Sequence, residues 1–177
     1  VVKQLVAEMF GWEEAELTWA EKASVKRGLL FEKRALELFK EATGIELKTD
    51  IGFISTEVDG MPFGYSPDAY TNKNGKIDCL AEVKSFELIR LQDELEKLHT
   101  PEVCEQMQAG MMVADCPRCY KILYSAELDK IFYLKYTRGL DFSRRLQERI
   151  PLAKDYIIQM RQNLLVYSDL TDKIMGE

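Results

Sequence analysis

The fold is decided by two short stretches, SPDAY at residues 66–70 and LAEVK at residues 80–84, with an Asn-Gly turn between them. An Asn-Gly pair between extended segments favours a two-residue hairpin turn, so the two stretches predict neighbouring strands. Residues two apart on a strand share a face, and the side chains of Glu82 and Lys84 therefore project together. Asp68 comes from the preceding strand. The pattern gathers two carboxylates and an ammonium at one end of a hairpin.

Such a group of side chains is suited to a divalent metal. Asp68 and Glu82, with the backbone carbonyl of Val83, offer the oxygen ligands that Mg²⁺ and Mn²⁺ prefer. A metal held there can polarise a phosphodiester and lower the pKa of a water molecule. Lys84 could orient that water or offset charge in the transition state. For so short a pattern, the alternative is a solvated strand with a weak Glu–Lys ion pair.

A helix upstream adds a third carboxylate. Residues 19–43 have helical periodicity and are followed by Gly44, a residue type that commonly ends helices. One stripe of this helix consists of Val25, Leu29, Glu32, Leu36 and Phe39. Glu32 interrupts an otherwise apolar face, and an inward carboxylate needs a partner or a metal. The alternative for Glu32 is a buried salt bridge to a lysine or arginine.

The rest of the chain predicts a mixed architecture of strands and helices. Residues 46–55 read as extended, 63–71 as a strand that Pro67 confines to an edge or bends, and 76–85 as a third strand. Further predicted elements are helices at 86–98 and 101–115, a hairpin of 120–126 with 131–137, and a helix at 141–165, kinked or interrupted near Pro151. This order favours one α/β domain over residues 1–177, with a central mixed or antiparallel sheet flanked by helices.

Composition restricts the class of protein. The 177 residues are 46% hydrophobic, enough for a sizeable core, and contain no apolar run long enough to cross a membrane. A net charge of −6 disfavours a passive nucleic-acid binder, although bound cations reverse the sign of an acidic site. No secretory signal is visible, and we expect the cysteines to be reduced thiols in the cytoplasm.

The cysteines nevertheless include a Cys-x-x-Cys pair, Cys116 and Cys119. Together with Cys104 and His99 they could supply four zinc ligands. The spacing fits neither a zinc ribbon nor an iron–sulfur cluster well, so free thiols are favoured.

Several motifs occur in a family-specific order between about residues 20 and 142. They are RGLLFE at 27–32 with Thr43-Gly44 at the helix end, Ser66-Pro67-Asp68, Glu82-Val83-Lys84, Gln106-Met107-Gln108 and a closing hairpin at 120–137. In this order they resemble the lambda-exonuclease-type (YqaJ-like) viral recombinases, a branch of the PD-(D/E)xK nuclease superfamily. The resemblance implies a restriction-endonuclease-like core.

The resemblance also assigns roles to residues. It implies catalytic roles for Glu32, Asp68, Glu82, Lys84, Gln106 and Gln108. Glu32, Asp68, Glu82 and the carbonyl of Val83 would hold two Mg²⁺ or Mn²⁺ ions, and one of the two glutamines would contact the scissile phosphate or the water. The family's N-terminal Ser/Thr-Arg segment has no clear counterpart before Trp19. We therefore expect Lys26, Arg27 and Ser66 to contact DNA.

The activity implied by the resemblance is a Mg²⁺-dependent DNA exonuclease that digests double-stranded ends from 5′ to 3′. The implied setting is phage or prophage recombination in the cytoplasm of a bacterial host. A single-strand annealing protein is the implied partner, and a ring-shaped homotrimer the implied assembly. The alternatives are an endonuclease of the restriction or repair type on the same core, and a non-catalytic DNA-binding or assembly module.

Overall fold

The structure, a computed structural model, describes residues 19–58 and 60–175. Within these ranges, side-chain positions are described for residue 26 and for residues 28–165 other than 59. The backbone divides into two compact units, one of which comprises Leu17–Arg144. All features described below lie in this unit, except the part of the last helix from residue 145 onward, which belongs to the other unit. The single nuclease domain over residues 1–177 stays a prediction.

The described residues form a mixed four-stranded sheet with the order β3-β4-β5-β6 and a separate two-stranded sheet of β1 and β2. In the main sheet, β4 pairs antiparallel with β3 and parallel with β5, and β5 pairs antiparallel with β6. This confirms the predicted central mixed sheet with helices. The elements are α1 Trp19–Thr43, β1 Ile54–Val58, β2 Met61–Tyr65, β3 Ala69–Lys73, β4 Lys76–Ser85, α2 Leu88–Lys97, α3 Pro101–Val113, β5 Arg118–Ser125, β6 Lys130–Thr137 and α4 Leu140–Met175.

The predicted hairpin turn joins β3 to β4. Asn74 and Gly75 have φ values of 53° and 78°, the left-handed pair that a type I′ turn requires and that Asn-Gly adopts readily. The register that this turn sets, shifted by one residue at a bulge in β4, places Ala69 opposite Ala81. Asp68, one residue before Ala69, is thereby brought to the same end of the hairpin as Glu82.

Pro67 divides the predicted strand 63–71 into two. Tyr65 ends β2, Ala69 begins β3, and the buried Pro67 lies between the two strands. Proline has no N–H to continue a ladder, so β2 pairs with β1 alone and β3 starts anew in the main sheet. The prediction of an extended segment over 46–55 is correct only in part, because β1 begins at Ile54 and the earlier residues contribute a single bridge between Lys48 and Tyr70.

Strand β4 is buried on both faces. One face contributes Cys79, Ala81 and Val83 to a core cluster with Ala35 and Phe39 of α1. The opposite face contributes Leu80 to a second cluster with Met107 and Met111 of α3. The sheet is therefore covered by α1 on one side and α3 on the other.

The alternation of faces along β4 is broken near its start. Strict alternation would put Ile77 on the face of Cys79, but Ile77 packs with the cluster around Leu80. The register shifts where Thr71 faces Cys79 and Asn72 faces Ile77, so Asp78 is the extra residue of a bulge. A bulge reverses the facing of the residues that precede it.

Helix α4 also departs from the prediction. It continues through Pro151 to Met175 without an interruption, so of the two predicted alternatives only the kink stays a prediction. A proline removes only one hydrogen bond of the ladder, and helix-forming residues on both sides carry the helix past it. No helix in the described ranges combines the length and the apolar character needed to span a bilayer.

Candidate metal-dependent active site

The end of β4 opens into a cleft of about 390 Å³ beside the N-terminal half of α1. Its lining residues are Gly28, Leu29, Glu32, Asp68, Val83, Lys84 and Ser85. Four of the predicted site residues therefore meet in one cleft although they come from three separate elements. The turn of the β3–β4 hairpin, the interruption at Pro67 and the packing of α1 on the sheet bring them there.

Asp68 is held by the backbone of the neighbouring strand. The Val83 N–H donates to its Oδ2 over 2.6 Å. Burial raises the pKa of Asp68, the nearby Glu82 raises it further, and the Val83 hydrogen bond counteracts both. The carboxylate is thus held at one oxygen, and among the side chains that the structure describes it has no ion pair.

Glu82 is tied at both of its oxygens. Lys84 Nζ and Gln106 Nε2 lie 3.1 Å and 3.3 Å from Oε1, and the Tyr65 hydroxyl donates to Oε2 over 3.0 Å. The side chain is only 6% exposed, so these donors supply what water would otherwise provide. Burial and the charge of Glu82 raise the pKa of Tyr65, which keeps its hydroxyl a donor.

Glu32 faces the cleft from α1. Burial raises its pKa, Asp68 adds to this effect, and Lys84 opposes it. Its carboxylate makes neither a hydrogen bond nor an ion pair with any side chain in the described part of the chain. The described residues therefore do not form the buried salt bridge that was the alternative for Glu32. A half-buried carboxylate that no described side chain pairs with, and that lies near a second carboxylate, is a position where a cation would be favourable.

Lys84 lies between the three carboxylates. Burial alone would lower its pKa, but Glu82, Asp68 and Glu32 outweigh burial and raise it. Lys84 therefore stays an ammonium that partly balances the site.

Lys121 is a further cation that the sequence reading missed. It lies directly opposite Glu82 on the parallel strand β5 and is only 7% exposed. Burial lowers its pKa and Lys84 lowers it further, whereas Glu82 and Asp68 raise it. A charged residue inside the apolar run 119–124 is the same signal that marked Glu32, and it could have identified Lys121.

The two predicted glutamines make contacts in different parts of the structure. Gln106 reaches Glu82, whereas Gln108 donates to the Thr137 carbonyl and accepts from the Gly139 N–H, both over 2.8 Å. Residues two apart on a helix point in different directions, so only one could enter the site. Gln108 holds the connection from β6 to α4, so the geometry favours Gln106 as the one glutamine of the two beside the metals, and a catalytic role for either stays a prediction.

The residues expected to contact DNA lie outside the cleft or outside the described side chains. Lys26 and Ser66 are exposed and flank cleft-lining residues without lining the cleft themselves. The side chain of Arg27 lies outside the described part of the structure. Their contacts with DNA stay a prediction.

The cysteines give no sign of a metal centre. All four are free thiols, and Cys116 and Cys119 are completely buried. Burial raises the pKa of Cys116 to about 11, so its thiolate is disfavoured. That the cysteines bind no metal stays a prediction.

Comparison with solved structures identifies neighbours of the same architecture. The alkaline exonuclease LHK-Exo from Laribacter hongkongensis aligns with a TM-score of 0.73 at 18% identity over 96% of this chain and 84% of that one. LHK-Exo in complex with dAMP aligns with a TM-score of 0.66 at 20% identity, over 94% and 84% of the chains. A phage-related exonuclease from Haemophilus somnus 129PT aligns with a TM-score of 0.71 at 16% identity, over 92% and 82%.

No protein-family model and no curated protein sequence matches the chain. Identities of 16–20% establish a shared fold rather than a shared activity. The predicted restriction-endonuclease-like fold is thereby confirmed, and the chain shares its architecture with phage-related and alkaline exonucleases, as the order of its motifs predicted.

Proposed function

We propose that this protein is a metal-dependent deoxyribonuclease that acts as an exonuclease on double-stranded DNA ends. The observation that carries the proposal is the meeting of Asp68, Glu32 and Lys84 in one cleft, with Glu82 ion-paired to Lys84 at its edge. Carboxylates and a lysine on adjacent strands form a site that can hold a cation and act on a phosphodiester.

The residues present fit Mg²⁺ or Mn²⁺. Asp68, Glu82 and the Val83 carbonyl offer oxygen ligands, and Glu32, which pairs with no described side chain, offers a further carboxylate. In the described part of the chain, no three His, Cys, Asp or Glu side chains are gathered closely enough to enclose one ion. Waters and substrate phosphates would complete the coordination, as is usual for Mg²⁺ held by one or two carboxylates.

The protein's own residues then have distinct tasks. Bound Mg²⁺ or Mn²⁺ would supply Lewis-acid polarisation of the phosphodiester. Lys84, kept protonated by its carboxylate neighbours, offsets negative charge that develops on the phosphate or orients the attacking water. Gln106 and Tyr65 fix the Glu82 carboxylate, and the Val83 N–H fixes that of Asp68.

The finer assignments rest on the motif resemblance. We propose digestion from 5′ to 3′, two metal ions per site, a ring-shaped homotrimer and a single-strand annealing protein as partner. We place this activity in phage or prophage recombination, in the cytoplasm of a bacterial host. LHK-Exo in complex with dAMP and the phage-related exonuclease, which share the fold, support a DNA substrate and this setting.

Digestion of end-labelled linear duplex DNA with Mg²⁺ tests the proposal. The wild type should shorten the duplex, whereas Asp68→Asn and Lys84→Met should leave it intact. Asp93→Asn and Lys97→Met, which change exposed residues of α2, are the matched controls and should digest normally. Comparing 5′-labelled with 3′-labelled duplex gives the direction of digestion.

Other outcomes identify the alternatives. Cleavage of closed circular DNA would indicate an endonuclease. If the linear duplex survives with Mg²⁺ or Mn²⁺ and binds equally well to the wild type and to Lys84→Met, the protein is a non-catalytic DNA-binding module.

A further inference from the structure

The β1–β2 hairpin lies outside the main sheet, yet its last residue reaches the candidate active site. Tyr65 ends β2, and its ring packs against the buried cluster that contains Leu80, Met107 and Met111. Its hydroxyl extends beyond this apolar cluster to Glu82. One side chain therefore fastens the hairpin to α3 and contacts a carboxylate of the site.

The contact with Glu82 differs from the other contacts of that carboxylate. Gln106 and Lys84 both approach Oε1, and Tyr65 is the donor that the described residues place on Oε2. A carboxylate held at one oxygen can still turn about its terminal bond, which is a soft torsion. A donor on the second oxygen removes this freedom and fixes the plane of the carboxylate.

Gly110 of α3 makes room for the Tyr65 ring. A Cβ added at Gly110 would lie 2.7 Å from Cε1 and 2.8 Å from Cζ of the ring. Glycine is unfavourable in a helix interior, so its presence in the middle of α3 needs a reason. The close approach of the Tyr65 ring supplies that reason, and a larger residue at 110 would push the hydroxyl off Glu82.

We propose that Tyr65, seated on Gly110, is a positioning residue that orients Glu82 for metal binding. The inference rests on the proposed metal-dependent function and deepens it. Groups that orient metal ligands through hydrogen bonds commonly affect metal affinity about 10- to 100-fold. Tyr65 acts on the metal through Glu82.

The test compares Tyr65→Phe with Tyr70→Phe. Phenylalanine keeps the ring on Gly110 and removes only the hydroxyl. Tyr70 packs against the same cluster, but its hydroxyl pairs with Asp50, so it is a matched control. Calorimetric titration with Mn²⁺ should show affinity weakened about 10- to 100-fold in Tyr65→Phe and unchanged in Tyr70→Phe. In DNA digestion, the half-saturating Mn²⁺ concentration should rise by the same factor, and saturating Mn²⁺ should restore most of the turnover.

Gly110→Ala gives a second route to the same change. It keeps the hydroxyl on Tyr65 but displaces the ring that carries it away from Glu82, so it should also weaken Mn²⁺ binding. In the double variant with Tyr65→Phe, the two losses should not add, because both act through one contact.

The possible failures are distinguishable. If the wild type binds Mn²⁺ and digests DNA while Tyr65→Phe binds Mn²⁺ with the same affinity, the inference alone is overturned. If the wild type neither binds Mn²⁺ nor digests DNA, the proposed function is overturned and the inference with it. A loss in Tyr65→Phe that appears only in turnover at saturating Mn²⁺ also contradicts a positioning role.

Discussion

The two sides of the candidate site are built differently. On the side formed by β2 and α3, here the closed side, Glu82 is buried and receives donors from Tyr65, Gln106 and Lys84. On the side formed by α1 and the residue before β3, here the open side, Glu32 and Asp68 face the cleft with raised pKa values.

The difference separates two tasks that a metal site must perform. The closed side has its hydrogen bonds already made, so Glu82 is preorganised at no further cost when a substrate arrives. On the open side, the negative charge of the carboxylates is balanced only in part. This charge destabilises the folded protein, and a bound cation would remove the unfavourable interaction. Replacing a carboxylate should therefore weaken metal binding on both sides, but in the absence of metal it should lower stability on the closed side and raise it on the open side.

The largest expected effect comes from replacing carboxylates by carboxamides on both sides. Glu82→Gln, Asp68→Asn and Glu32→Gln should each lower DNA digestion by at least about 10²-fold. Their stabilities should diverge in EDTA. Glu82→Gln loses charge-assisted hydrogen bonds and should unfold more easily, by about 1–3 kcal/mol, whereas Asp68→Asn and Glu32→Gln relieve unfavourable charge and should raise the Tm.

Thermal denaturation in EDTA and in Mg²⁺ measures this divergence, with Asp93→Asn as the control. The wild type should gain more stability from Mg²⁺ than any of the three variants, because ligands that bind only the folded state stabilise it. Equal Tm changes on the two sides would contradict the division of the site.

An intermediate effect is expected from the two glutamines of α3. Gln106→Ala removes a donor from Glu82 and should weaken Mn²⁺ binding about 10- to 100-fold. Gln108→Ala loses its hydrogen bonds to Thr137 and Gly139 and should lower the Tm while leaving Mn²⁺ affinity unchanged. Calorimetric titration and thermal denaturation of both variants separate the roles, and the reverse result would reassign the glutamines.

A smaller effect follows from pH. The raised pKa values of Asp68 and Glu32 mean that, between their ordinary and raised values, the folded state binds more protons than the unfolded state. Their contribution to stability is most favourable at low pH and is lost as pH rises through the raised values. In EDTA, the Tm advantage of an Asp68→Asn, Glu32→Gln double variant over the wild type should therefore widen with rising pH.

Metal binding has the opposite dependence on pH in the wild type. Protons compete with Mg²⁺ for the open-side carboxylates, so the half-saturating Mg²⁺ concentration should rise as pH falls. Digestion measured over a series of Mg²⁺ concentrations at each pH gives this value. A half-saturation that does not change with pH would show that these carboxylates do not bind the metal.

The smallest effect is expected from the link that holds α1. Arg34, two residues from Glu32, makes a bidentate ion pair with Asp129 of the β5–β6 turn over 3.0 Å and 2.7 Å. Both partners are exposed, so Arg34→Met should lower digestion less than about fivefold by loosening the open side. Lys97→Met, which breaks an exposed pair with Glu94 on α2, is the control. An equal effect of the two would remove any special role for Arg34.

The closed side was harder to predict from sequence than the open side. Asp68 and Glu32 were identified by local signals: an Asn-Gly turn of known register and a carboxylate that interrupts an apolar stripe. Tyr65 reaches Glu82 only because Pro67 separates β2 from β3 and β2 packs on α3. Such packing between distant elements leaves no periodic pattern in the sequence.

Tertiary packing also decides which way single residues of a correctly predicted helix or strand face, and this too could not be predicted from the sequence. The helix carrying Gln106 and Gln108 was correctly predicted, but its rotation relative to the sheet depends on tertiary packing, so the sequence could not distinguish the two. The bulge at Asp78 likewise reverses Ile77 without a glycine or proline to signal it. Elements and their order follow from local chemistry, whereas the facing of individual side chains depends on their neighbours.

The two-residue turn between β3 and β4 has a consequence for the order in which the site forms. A hairpin closed by so short a loop forms in about 1–10 μs, so Asp68, Glu82 and Lys84 can come together early. The parallel pairing of β4 with β5 must wait until the chain through α2 and α3 has been traversed, and contacts so distant in sequence form slowly. During refolding, Asp68, Glu82 and Lys84 would therefore be close together before Gln106 reaches Glu82.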